Sequence, residues 1–154
     1  MTMQVPDTLE VSGERLRMHA NPLGAYFAMA GIESPFYSFF SANWRGYVGA
    51  WAILGDRLYL AELRGSDQNE QPIVLKDLFP GYPDRVFVHW FSGEIRCPTG
   101  ERIQAATRHI YRCEKDRVFT VRRGVVTGHR IVHNEPQKPI QQELDIPKFL
   151  SKQQ

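Results

Sequence analysis

The chain has 154 residues, 42% apolar and 23% charged, the length and balance of one globular domain that buries its own core. Its net charge of +2 gives no global pull toward nucleic acid or an acidic membrane. No run approaches the roughly 18 apolar residues of a membrane helix, and the opening residues "MTMQVPDTLEVSGERLRMH" lack a secretory apolar segment.

In chain order, Leu9 and Val11, then Leu16 and Met18, alternate with polar residues around Gly13-Glu14 and predict a hairpin with a glycine-first turn. Asn21 is placed to cap a helix with Pro22 at its first position. Leu23, Tyr26, Phe27 and Ala30 then recur at helical spacing until Gly31. An aromatic loop, "ESPFYSFFSA", leads into strands over 43–54 and 57–64, with Gly55-Asp56 between them. In the second of these, Leu58 and Leu60 share one face and Tyr59, Ala61 and Leu63 the other, which predicts a central strand.

Residues 64–72 are polar and rich in breakers, and read as a surface loop. "IVLKDLFPGYPDR" predicts one helical turn before Pro80-Gly81. "VFVHWFSGEIRCPTGE" predicts a strand, a turn at Ser92-Gly93, and a short strand ended by Pro98 and Gly100. Further strands are predicted over 102–113, 116–124 and 125–134. The fold expected is mainly β: a single twisted, mostly antiparallel sheet or partial barrel of seven to nine strands, with one short N-terminal helix. Residues 1–134 form the expected domain, and 135–154, with three prolines and no sustained period, an extended or partly disordered tail.

The motifs W-R-G-Y-x-x-x-W at Trp44 to Trp51, L-F-P-G at Leu78 to Gly81, and V-F-x-x-W-F-x-G at Val86 to Gly93 resemble those of a family of small bacterial proteins without an established biochemical role. The resemblance covers about residues 8–125 and implies a shared fold but no catalytic mechanism. The chain departs from the pattern at His89, where an acidic residue is common, and at Ala52, where a glutamate is frequent. Both departures lower the case for carboxylate chemistry.

Phosphate-binding, dinucleotide, metalloprotease and nucleophile-elbow signatures are all absent from the sequence. Cys97 and Cys113 lie sixteen apart, neither beside a second cysteine, so neither a zinc site nor a cofactor is expected. In a cytoplasmic compartment both thiols are expected to stay reduced, free and buried. His129 and His133, four apart on a strand, share a face but lie about 13 Å apart, too far for one metal. Glu62 and Glu94 are the carboxylates nearest the aromatic motifs, with Arg45 and Arg96 as their expected partners.

Three functional readings follow. The first is a non-enzymatic protein-binding module, in its specific form an immunity protein that neutralises a bacterial toxin. Its basic C-terminal third, eleven basic against six acidic residues over 101–154, would steer an acidic partner. The second is a small-ligand binder or enzyme with an aromatic pocket around Trp44, Tyr47, Trp51, Trp90 and Glu94. The third is RNA binding through Arg108, Arg112, Arg117, Arg122 and Arg123 interleaved with Tyr111 and Phe119. The candidate ligand- or partner-binding residues are Arg45, Tyr47, Trp51, Trp90, Glu94 and Arg96, and the open question is whether Arg45, Tyr47 and Trp51 are covered by the chain or left to a partner.

Overall fold

Two-residue hairpins whose turn residues tolerate positive φ organise this chain. In the computed structural model, which describes residues 5–102 and 113–135, three of them appear. Strand β1 (Asp7–Val11) turns into β2 (Glu14–Met18) through Ser12 and Gly13, at φ 50° and 82°. Strand β3 (Tyr47–Leu54) turns into β4 (Arg57–Ser66) through Gly55 and Asp56, at 54° and 63°. Strand β8 (Cys113–Arg122) turns into β9 (Val125–His133) through Arg123 and Gly124, at 49° and 82°. Positive φ at both positions is the turn whose twist matches paired strands. The first turn is therefore centred on Ser12-Gly13, one residue earlier than the glycine-first reading, because a serine in the left-handed region serves as its opening residue.

Among the described residues the fold is mainly β, with nine strands in one sheet and two helices. The remaining elements are α1 (Pro22–Ala30), β5 (Pro72–Val74), α2 (Leu75–Leu78), β6 (Val86–Phe87) and β7 (Gly93–Arg102). The main path runs β2-β1-β3-β4-β9-β8-β7, with β5 and β6 also paired to β4. Strand β4 is thus the hub, the central place predicted for it. The sheet is mixed, since β1 and β3 run parallel, from Thr8 beside Ala50 to Val11 beside Ile53. Its end strands meet at one point, where His19 and Arg96 exchange backbone hydrogen bonds of 2.8 and 3.4 Å.

Two departures from simple alternation matter. A bulge leaves Ala61 unpaired between Glu62 opposite Ala50 and Leu60 opposite Trp51. It shifts the face of everything after it, so Leu63 joins Leu58 and Leu60 in the core instead of lying opposite them. Strand β7 runs through Pro98 and Gly100 instead of stopping there, with Pro98 opposite Asp116. An end strand tolerates a proline that a central one would not. The predicted strand over 102–113 lies, beyond Arg102 and Cys113, outside the described residues, as does the tail after residue 135.

Helix α1 begins as its sequence dictates. The Asn21 side chain accepts from the Gly24 N–H at 3.1 Å, Pro22 opens the helix, and Gly31 closes it at φ 68°. Leu23 and Phe27 turn inward. An aromatic core lies between the helix and the sheet: Tyr26 against Phe79 and Trp90 at 5.0 and 4.9 Å, and Phe36 against Tyr47 at 4.8 Å. Leu9, Leu58, Leu60, Val88 and Ile95 complete its floor. Cys97 and Cys113 are both buried.

Candidate functional site

The alternation of β3 puts Tyr47, Gly49 and Trp51 on the inner face, and all three are buried. What lies against them is Asp7, at the start of β1, whose side chain is wholly buried. Its carboxylate accepts from Arg45 Nη2 at 2.6 Å, Arg45 Nη1 at 3.4 Å, the Gly49 N–H at 3.0 Å and Trp51 Nε1 at 2.8 Å. The Asn21 side-chain oxygen adds a second node, accepting from Tyr47 Oη at 2.6 Å and Arg45 Nη1 at 3.3 Å besides its helix cap. Burial, partly offset by Arg45, pushes the Tyr47 phenol up from its ordinary value, so it stays a neutral donor. One arginine, one carboxylate and one amide thus tie β1, α1 and β3 together.

The spaces beside the two glycines are filled by the chain itself. A Cβ on Gly49 would stand 2.8 Å from Trp51 Nε1 and 3.2 Å from Asp7 Oδ2. A Cβ on Gly46 would stand 2.7 Å from the Tyr37 backbone, and Gly46 sits at φ 78°. Arg45 is about a quarter exposed, while Tyr47 and Trp51 are 2% and 1% exposed. These three predicted site residues come together as the support of a surface.

That surface is the aromatic loop. Phe36 is anchored in the core, and the Tyr37 N–H bonds to Ser66 O at 2.9 Å. The Ser38 hydroxyl donates to Asn43 O at 2.7 Å and Phe40 O at 3.1 Å, and Asn43 N–H returns to Phe40 O at 3.0 Å. From this fixed backbone Tyr37, Phe39, Phe40 and Trp44 project, with 49%, 43%, 74% and 58% of their surfaces exposed. Met29 and Ile32, at the end of α1, are exposed too.

The other predicted residues lie elsewhere. Trp90 is half-buried, stacks on Phe79 at 5.8 Å and donates to Pro22 O at 2.7 Å. Glu94 is exposed and pairs with Arg130 at 2.6 Å, not with Arg45 or Arg96, and that pairing holds its carboxyl below the usual range. Glu62 pairs with Arg64 at 3.9 Å. Arg96 instead meets Asp116 at 2.8 Å, and Asn134 Nδ2 reaches the same carboxylate oxygen at 3.1 Å. Each aromatic of the predicted pocket except Trp44 fills a place in packing.

Asp7 and Asp116 are the residues sequence reasoning passed over. A signal existed for Asp7, because it alternates with Leu9 and Val11 and so stands on their face. Asp116 gives the same signal one step from Val118.

Chemically, the described residues hold no group of three or more His, Cys, Asp or Glu placed to bind a metal. Burial pushes the Cys97 thiol up to about 12, which keeps it protonated and unreactive. A groove of about 390 Å³ crosses the outer face, floored by Val48, Gly49 and Ala50 and rimmed by Thr8, Arg15, Glu62 and Arg64. It is shallow and has no aromatic wall. In the predicted RNA face, Phe119 is buried and Arg117 is bound to Glu14 at 2.8 Å; Arg108, Tyr111 and Arg112 lie outside the described residues. No helix among the described residues is long and apolar enough to cross a membrane. Comparison with known proteins finds no matching family model, curated protein or solved structure.

Proposed function

We propose that this chain is a non-catalytic protein-binding module whose contact surface is the loop Tyr37–Trp44 with Met29 and Ile32. The observation that carries the reading is four exposed aromatic side chains on a loop whose backbone is fixed by internal hydrogen bonds. Exposed aromatics clustered in this way are the usual anchors of protein interfaces. A loop already held in shape loses little entropy on binding. The Asp7–Arg45–Asn21 network beneath it supplies the rigidity. The resemblance to small bacterial proteins and the lack of a catalytic constellation among the described residues support the specific form, an immunity protein that occludes a bacterial toxin.

The test uses Phe40→Ser with Trp44→Ser, both changes at exposed positions. Affinity capture from the native cell should return a stable partner with the native chain and lose it with the double variant, whose melting temperature should stay nearly unchanged. Equal capture by both chains overturns the loop as the interface. For the toxin form, co-expression with a toxin encoded beside the gene should restore growth with the native chain and not with the variant.

A further inference from the structure

A second surface is built around the outward faces of β4 and β6. Tyr59 and Phe87 are directly opposed in the β4–β6 pairing, and their rings lie 5.8 Å apart. Each carries an arginine: Arg85 stands over Tyr59 at 5.0 Å, and Arg57 over Phe87 at 5.2 Å. The row continues across the sheet, because Arg57 is opposite Val125 and Val125 is opposite Arg122. Directly opposed residues share a face, which sets Arg57 and Arg122 about 10 Å apart. The turn between β8 and β9 closes this end, with Arg123 exposed and Gly124 against the Phe87 ring.

Four arginines therefore border one aromatic pair. Asp56, in the neighbouring turn, and Asp84, in the cleft wall, are the acidic residues closest in sequence. Among the described residues, no carboxylate lies within ion-pair distance of Arg57, Arg85, Arg122 or Arg123. The other exposed arginines named above, Arg15, Arg64 and Arg130, do have such partners. A cleft of about 380 Å³ opens beside Arg85, lined by Tyr59, Tyr82, Pro83 and Phe87, with Tyr82 56% exposed.

A guanidinium lying on a ring engages through its flat face and keeps its in-plane N–H donors for oxyanions. The stacking also holds the side chain in place, so less rotamer freedom remains to be lost on binding. One face of each ring already carries an arginine, which leaves less ring surface for a base-stacking ligand. Tyr82 and Pro83 offer apolar contact beside the charges.

We infer that Arg57, Arg85, Tyr59 and Phe87 form a docking site for an acidic segment of a protein partner, a run of Asp and Glu whose carboxylates accept from the two stacked guanidiniums. The site is separate from the aromatic loop, so it stands or falls independently of the function proposed above.

The test is fluorescence anisotropy of a labelled oligoglutamate peptide, with labelled oligouridylate RNA as the second probe, at low and physiological salt. The native chain should bind the peptide saturably, more weakly as salt rises. The double variant Arg57→Glu with Arg85→Glu should weaken binding roughly tenfold or more. Arg57→Lys with Arg85→Lys, which keeps charge but loses the planar stack, should fall between. Arg64→Glu, and Phe40→Ser with Trp44→Ser, should bind like the native chain. No saturable peptide binding, equal binding by the Arg→Glu variant, or tighter binding of RNA than of peptide would each overturn the assignment. Circular dichroism of every variant separates lost binding from lost fold.

Discussion

Two buried carboxylates, each clamped by an arginine, hold opposite regions of this sheet, and they differ in weight. Asp7 is fully covered and accepts from Arg45, Gly49 and Trp51, joining β1 to β3 beneath the aromatic loop. Asp116 is 12% exposed at its side chain and its arginine 43%, and it accepts from Arg96 and Asn134 where the end strands meet. The ion-pair chemistry is the same. Burial decides the difference, because water screens and replaces the lost partner at the seam but has no access to Asp7.

The sharpest way to break that contrast is Asp7→Ala. It leaves the Gly49 N–H and the Trp51 indole N–H without their acceptor in a dry site, and Arg45, a quarter exposed, with Asn21 alone of its two acceptors. Losing one member of a buried pair costs about 3–5 kcal/mol, so the melting temperature should drop by many degrees in a thermal scan, and the loop above should lose its ordered display. Asp116→Ala should cost less, about 1–3 kcal/mol, the penalty for unpaired partners that solvent partly reaches. If chemical denaturation ranks Asp116→Ala as the worse of the two, burial is not what separates the clamps.

The smallest effect concerns pH at the seam. Desolvation lowers the His19 pKa below 6.5, with Arg17 and Arg96 adding to the effect and Asp116 opposing it. The folded chain therefore binds this proton less readily than the unfolded chain. Above pH 6.5 the imidazole is neutral in both states and contributes nothing. As pH falls through 6.5 toward the lowered folded value, the unfolded state takes up the proton first and stability declines. Melting curves from pH 8 to pH 5 should show that decline in the native chain and a shallower one in His19→Gln. An identical slope in both would place the pH dependence elsewhere.

Helix α1 was legible because a cap, a proline and a terminal glycine specify it locally, and the third hairpin turn because Arg123-Gly124 marks it. The turn at Ser12-Gly13 was displaced by one residue, since glycine seldom leaves its neighbour's willingness to take positive φ visible. The end of β7 was misplaced at Pro98 because a proline's cost depends on which neighbours a strand has, and those are set by strand order.

The candidate site divides in the same way. The strand predicted over 43–54 begins only at Tyr47, so alternation groups Tyr47 with Trp51, while Trp44 and Arg45 lie in the turn before it. Alternation did not say that Asp7, thirty-eight residues before Arg45, is what Arg45 and Trp51 meet. Nor did it pair Glu94 with Arg130 or Arg96 with Asp116, because a charge finds its partner through strand register and not through spacing along the chain.

By itself, then, the sequence determined the β-rich class, the hairpins, the helix caps and the inward face of β3, because side-chain period and backbone φ preference act over a few residues. Only the tertiary structure decided that Trp51 is sealed on a carboxylate while Trp44, seven residues earlier, stands exposed. That choice rests on the parallel pairing of β1 with β3, which carries a buried charge to the inner face, and on the close backing of Gly46 against Tyr37, which turns the aromatic loop outward.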